Sequence, residues 1–428
     1  MGEQDRVFTK CAWRLIPFMV LLYLVNFIDR LNVGFAALTM NRDLHFSPAV
    51  FGFGAGLFFV GYLLFQIPAN LMLVRIGARR WIFCITAIWG LVSASSALVQ
   101  GPASFYALRF LLGVAEAGLF PGVIFYLTIW FPKFYRARFN ACFYIAIPLA
   151  GIIGGPLSGL ILGMDGVGGL RGWQWLFLIE GMPAFVLSFL VLKLLPDRPA
   201  AASWLSGAEK DAVALRLAAE DSTEHSELSQ ALRDPRVAVL GLINFAFQCG
   251  LYGTTLWLPQ IVQAMGFSNF ATGFVVALPN VVALVALILW GYSSDKRGER
   301  IWHTALPILL AAAGLAGASV AQDYLLVLFG LTLVLAGINA AYGPYWSLPS
   351  TFLRGSAAAG GIALINMIAS LGGFVGPFLL GFLKERTGGY TIAMAMIAAC
   401  LVGAAFIVLA LGRAMAPRPM LGTNAKVS

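Results

Sequence analysis

Arg109-Phe-Leu-Leu-Gly-Val-Ala-Glu116 sits inside an apolar run from about Phe105 to Phe131. As a helix, that run is long enough to cross ~30 Å of hydrocarbon. Its two ionisable residues are two helical turns apart, so they share one face at a separation on the order of 10 Å. Such groups are costly at membrane depth. They persist where they face a protein interior or a watery cavity, and they mark ion or substrate routes. Asp29-Arg30, in the middle of the first apolar run, is a second acid–base set.

Composition agrees with a membrane setting. Of 428 residues, 60% are hydrophobic and 11% charged, against about 25% charged in a soluble domain. Mean hydropathy is +0.85. So little charge cannot coat a water-soluble body, and the chain reads as an all-α polytopic membrane protein.

The net charge of +9 invites a nucleic-acid reading, but its placement argues for topology. Arg6, Lys10, Arg14, Arg75, Arg79, Arg80, Lys133, Arg136, Arg138, Lys296, Arg297, Arg300, Arg354, Arg413, Arg418 and Lys426 fall on one side of the predicted spans. Only Arg42, Arg171, Lys384 and Arg386 fall on the other. Positive charge collects on the cytoplasmic side, so both termini are expected there, with lipid as partner and no nucleic acid. Five scattered cysteines without a CxxC, and three histidines, offer neither a disulfide framework nor a metal site. The first apolar run carries Asn26, Asp29 and Arg30, which suits a retained span rather than a cleaved signal.

Apolar runs of spanning length occur twelve times, near 14–38, 50–74, 81–100, 104–131, 138–163, 173–195, 236–264, 270–291, 302–320, 324–350, 355–383 and 389–412. The expected organisation is a cytoplasmic tail (1–13), an N-terminal six-helix bundle (14–195), a linker (196–235), a C-terminal six-helix bundle (236–412) and a second cytoplasmic tail (413–428). Ser206-Gly-Ala-Glu209 matches a capping box, so a short amphipathic helix should start in the linker. The linker is too short for a soluble catalytic domain. Gly77 and Gly298 lie 221 residues apart, as do Pro156 and Pro377. One shared offset argues for a parallel duplication, the plan of many carriers with a midplane site.

The polar residues inside the spans divide unevenly. Asp29, Arg30, Arg109 and Glu116 put deep charge in the first half, together with Tyr62 and Gln66 one turn apart. The second half supplies Asn244, Gln248, Tyr252, Asn280, Asn339, Tyr345, Trp346 and Asn366, which can discriminate substrate shape. An acid beside a fixed cation can load and release a proton, while arginine stays charged and suits a carboxylate. The competing readings are a charge clamp holding the bundle shut, an Arg109–Glu116 pair at the outer mouth, and asparagines that only bond neighbouring helices. Glu180 reads as structural. An enzyme or sensor would want a nucleophile–base set, a metal cluster or a soluble domain, and none of these is visible.

The twelve spans, the central loop and the turn Gly291-Tyr-Ser-Ser-Asp295-Lys-Arg297-Gly298-Glu-Arg300 resemble the major facilitator superfamily. The matching first-half turn at Gly77 departs from it, with Val74-Arg75 where an acid then Arg is usual. Arg109 to Glu116 with Ala-Gly-Leu-Phe-Pro-Gly after it, Tyr126-Leu-Thr-Ile-Trp-Phe-Pro, Phe65-Gln66-Ile-Pro68 and Gly343-Pro344-Tyr-Trp346 resemble its anion–cation symporter family. Gly77-Ala-Arg-Arg-Trp resembles the bacterial branch of tartrate, phthalate and hydroxyphenylacetate carriers.

The resemblance implies two six-helix bundles in a bacterial cytoplasmic (inner) membrane and a monomer that takes up a small organic carboxylate with protons. No cofactor is implied beyond the coupling proton. Asp29 and Glu116 match proton sites. Arg30 and Arg109 match anion-coordinating arginines, and Tyr62, Trp346 and Asn366 match substrate contacts. Gln66, Tyr144 and Tyr252 join them as candidates from the residues themselves. Asp295, Arg297, Gly298, Arg300 and Gly77 are the candidate gating-loop residues. Ile147 stands near a polar position of sugar-acid carriers, which favours an aromatic or smaller carboxylate. A proton-independent facilitator or an anion exchanger is the alternative.

Overall fold

A computed structural model describes residues 3–221, 233–353 and 355–415. The described chain is helical: α1 Glu3–Asp43, α2 Pro48–Ile76, α3 Ala78–Ser95, α4 Pro102–Glu116, α5 Leu119–Trp130, α6 Lys133–Ile161, α7 Gly172–Leu194, α8 Gly207–Asp221, α9 Pro235–Ala264, α10 Asn269–Arg297, α11 Ile301–Val320, α12 Tyr324–Ser347, α13 Gly355–Thr387 and α14 Thr391–Met415. Among these residues, 12 segments are long and apolar enough to span a membrane. Residues 222–232 of the expected linker, 416–428 of the expected C-terminal tail, Arg354, and the side chains of Lys133, Arg136 and Arg138 lie outside the description.

Two boundaries differ from the expected ones, and one agrees. Helix α1 reaches back to Glu3, so most of the anticipated N-terminal tail is helical. The fourth span is two helices, α4 and α5, parted at Ala117-Gly118 directly after Glu116. A Cβ at Gly118 would stand 2.7 Å from Ile85 Cδ1 and 2.8 Å from Trp81 Nε1, so a larger residue there would require the α3 side chains to shift. The linker helix α8 starts at its capping box: Glu209 N donates to Ser206 Oγ at 3.3 Å, and Ser206 N donates to Glu209 Oε2 at 2.8 Å. Lys10 Nζ then ties Glu209 to α1 at 2.8 Å.

Helices α1–α7 and α9–α14 form two bundles that meet where α2 packs on α13, α6 on α10 and α1 on α9. The seam is made by small residues, which let backbones approach closely. A Cβ at Gly155 would fall 2.6 Å from Gly273 O, and one at Gly52 would fall 2.6 Å from Pro377 O. Phe51 meets Trp257 edge-on at 5.1 Å, and Trp257 Nε1 donates to Pro377 O at 3.1 Å. Ser47 Oγ donates to Glu385 Oε2 at 2.6 Å, and Asn41 Nδ2 to Gln260 Oε1 at 3.4 Å. All these contacts lie on the half of the molecule away from α8. A cavity lies between the bundles on the α8 side of the seam.

Candidate functional site

The cavity is small, about 90 Å³. The first bundle lines it with Tyr23, Phe27, Arg30, Phe59, Tyr62, Gln66, Phe120, Tyr144 and Ile147. The second supplies Asn244, Gln248, Leu251, Tyr252, Tyr342, Trp346, Asn366 and Ser370. Of the residues singled out from sequence, Arg30, Tyr62, Gln66, Tyr144, Tyr252, Trp346 and Asn366 therefore share one wall. Asp29, Arg109 and Glu116 do not line it. The wall is aromatic with a few convergent polar groups, the make-up of a small-molecule site.

Arg30 is the cationic pole. Its Nε donates to Glu116 Oε2 at 2.7 Å, joining α1 to the end of α4. Asn26, one turn before Arg30, donates its Nδ2 to the same oxygen at 2.8 Å. The guanidinium lies over the rings of Phe27 (5.1 Å), Phe58 (5.2 Å) and Tyr62 (5.2 Å), and Nη1 is 3.4 Å from Tyr252 Oη. The Glu116 side chain is fully buried, whereas that of Arg30 is 11% exposed. A carboxylate at a helix C-terminus faces the negative end of the dipole, so Arg30 offsets a local penalty as well as burial.

The acid–base sets read along the sequence are broken up in space: Arg30 pairs with Glu116, while Asp29 and Arg109 go separate ways. Asp29 and Arg30 are neighbours, so their side chains leave α1 about 100° apart. Asp29 turns to α3, where it accepts from Trp89 Nε1 at 2.7 Å, from Asn32 Nδ2 at 2.8 Å and from Ser93 Oγ. Three donors converging on one buried carboxylate fit its acceptor-only form. Arg109, expected near the outer mouth beside substrate, is instead 2% exposed, with its guanidinium over Phe58 at 5.2 Å. Its Nε has no hydrogen-bond partner. Glu180 accepts from Ser158 Oγ at 2.7 Å in the first bundle, a contact between α6 and α7.

The gating-loop candidates lie outside the cavity, in the two short turns on the α8 face. Gly77 between α2 and α3 has φ 88°, and Gly298 between α10 and α11 has φ 63°; both need the left-handed region that glycine enters freely. In the second turn Arg300 Nη1 pairs with Asp295 Oδ1 at 2.7 Å and donates to Ser294 Oγ at 2.8 Å, while Arg297 is exposed. Beside the first turn, Asp197, just past α7, has its Oδ2 3.5 Å from Arg79 Nη1 in a partly exposed pair.

A family model described as the Major Facilitator Superfamily matches residues 19–377. The chain belongs to that superfamily. Two proteins of Agrobacterium vitis, both carrying the provisional name tartrate transporter, are 48% and 50% identical to it, over 96% of this chain and 92% and 95% of their own. A solved bacterial homologue of the human lysosomal transporter Spinster superposes with TM-score 0.76 at 17% identity, covering 93% of this chain and 96% of its own, a likeness of fold. The protein is thus a multi-pass membrane transporter of a small molecule, not an enzyme.

Sequence reading passed over Tyr23, Phe27, Phe59 and Tyr342 on the wall, and Asn26 behind it. Tyr23, Asn26, Phe27 and Arg30 follow the i, i+3, i+4, i+7 pattern of one helical face, a signal that could have found them.

Proposed function

We propose that this superfamily member imports a small organic carboxylate together with protons across a bacterial inner membrane. The observation that carries the reading is the Arg30–Glu116 pair at the cavity wall. A fixed cation there can hold a substrate carboxylate, and the acid already on it must be neutralised before it lets go.

By the basic-residue bias, the α8 face is cytoplasmic, so the cavity belongs to an inward-facing state. In the outward state Glu116 takes a proton and Arg30 passes to the substrate carboxylate. The bundles rock about the site, a two-state exchange biased by what is bound. Inside, the anion leaves, Glu116 releases its proton and the pair closes again. The cluster of Asp29, Glu116, Arg30 and Arg109 is neutral with both acids ionised, so each added substrate charge is matched by one proton. Glu116 loads first; Asp29, caged by Trp89, Ser93 and Asn32, is the second acid, drawn in by a dianion. Arg109 stabilises the two acids from behind the wall. The chain acts as a monomer.

Uptake into liposomes with and without an inward proton gradient tests this. Accumulation only with the gradient supports symport. Equal rate and equal accumulation in both identify a facilitator or an anion exchanger and defeat coupling.

A further inference from the structure

Three polar side chains on the cavity wall, two buried and one partly buried, carry buried polar atoms with no hydrogen-bond partner. Asn244 is 1% exposed, and neither its Nδ2 nor its Oδ1 has a partner. Gln66 is 5% exposed with Oε1 unpartnered, and Trp346 Nε1 has none. Buried amides are ordinarily satisfied, so an asparagine idle at both ends of its amide needs a reason.

Placement supplies one. Asn244, Gln248 and Tyr252 recur every fourth residue of α9, which puts them in a stripe along one helical face. The stripe begins at Tyr252, whose Oη is 3.4 Å from Arg30 Nη1, and ends at Asn244 about 12 Å of helical rise nearer the α8 face. Gln66 approaches from the other bundle, one turn beyond Tyr62, whose ring Arg30 covers. The cationic pole therefore faces a second, uncharged pole built from both bundles. An amide with a free N–H and a free C=O side by side is met by a group that can both accept and donate, and a hydroxyl does both.

Resting on the carboxylate reading above, we infer that Asn244, with Gln66 opposite it, recognises a hydroxyl that the substrate carries away from its Arg30-bound carboxylate. Asn244 is then the residue by which the transporter separates a hydroxycarboxylate from its deoxy counterpart. The amide is already buried and idle, so a hydroxylated substrate gains by satisfying it and the analogue lacking the hydroxyl does not.

The test is a set of matched pairs on purified protein, read as binding affinity by titration: tartrate and malate against succinate, 4-hydroxyphenylacetate against phenylacetate, glycerate against propionate. In at least one pair the hydroxylated member should bind about tenfold tighter or more. Asn244→Leu should bring it down to its deoxy partner, and Asn244→Ala provides the same comparison if the leucine variant folds poorly. Equal affinity within every pair overturns the assignment while leaving the carboxylate reading intact. So does a variant that weakens both members alike and keeps their ratio, which marks a structural asparagine. Binding of no carboxylate in the set defeats the reading beneath, and the inference with it.

Discussion

Arg30 Nε stands 2.7 Å from Glu116 Oε2 across α1 and α4, although each residue has another ionisable group nearer in sequence. Under the proposed symport the pair makes the cavity's cation conditional: it holds an anion from outside only while its internal one is neutral. Glu116→Gln removes the competitor and the proton together. Gradient-driven uptake should disappear, while exchange of labelled for unlabelled substrate persists. Full concentrative uptake by the variant would contradict the assignment.

Arg30→Lys keeps the charge but loses the planar fork that meets a carboxylate at two points. Substrate affinity is expected to fall about tenfold or more, as read by titration, with the protein still folded. An unchanged affinity would place the anion elsewhere.

Asp29→Asn should differ from Glu116→Gln in its cost to folding. Trp89, Ser93 and Asn32 all donate to that carboxylate, and an amide can accept with only one of its two terminal atoms. A loss of about 1–3 kcal/mol follows from one donor left unpaired, visible as a lower melting temperature. Gradient-driven uptake should fall as well if anions of two charges are carried. A variant as stable as the parent would show that the cage matters little.

At the seam, Gly155→Leu should disfavour the inward-facing state, since a side chain there meets Gly273 O. Labelling a cysteine placed at Tyr144 from the cytoplasmic side should slow, and uptake should stop. Gly403→Leu is the control, because a Cβ at Gly403 meets nothing within 4 Å. Equal labelling in both would remove the seam from the gating account.

The linker helix offers a pH test. The hydrogen bond from Lys10 Nζ, followed by that from the Ser206 backbone, holds the Glu209 carboxyl below its usual range. A depressed acid contributes docking energy above its ordinary value near 4.3, and that contribution is lost as pH falls through the depressed one. Proteolysis of the linker should therefore accelerate on acidification below about pH 4, and at neutral pH in Lys10→Ala or high salt. A cutting rate indifferent to all three would show that α8 is held by other contacts.

Much of the architecture was legible in the chain. Twelve runs of spanning length, the capping box at Ser206 and Glu209, and the shared offset of Gly77 and Gly298 are local or periodic features, and periodicity is what a linear reading measures well. The wall residues Arg30, Tyr62, Gln66, Tyr252 and Trp346 were visible as polar or aromatic interruptions. Partners were not. Asp29 and Arg30 read as a set because they adjoin, yet adjacency on a helix sends side chains apart. The resemblance offers Arg109 as an anion-coordinating residue, but it cannot show the direction of the side chain, which lies behind Phe58 and off the cavity wall. The break after Glu116 falls at Ala117-Gly118, inside an apolar run that reads as one continuous span.

The seam owes most of its closeness to glycines such as Gly155 against Gly273 and Gly52 against Pro377. Shape complementarity of that kind strands few charges when it parts, and under the proposed rocking the separated surfaces line a watery opening between the bundles. Alternating access of the proposed kind requires the open and shut seams to lie within a few kcal/mol of each other, about the range a ligand can bias. A modest preference of proton or solute for one arrangement is enough to tip a molecule that must change sides on every turnover.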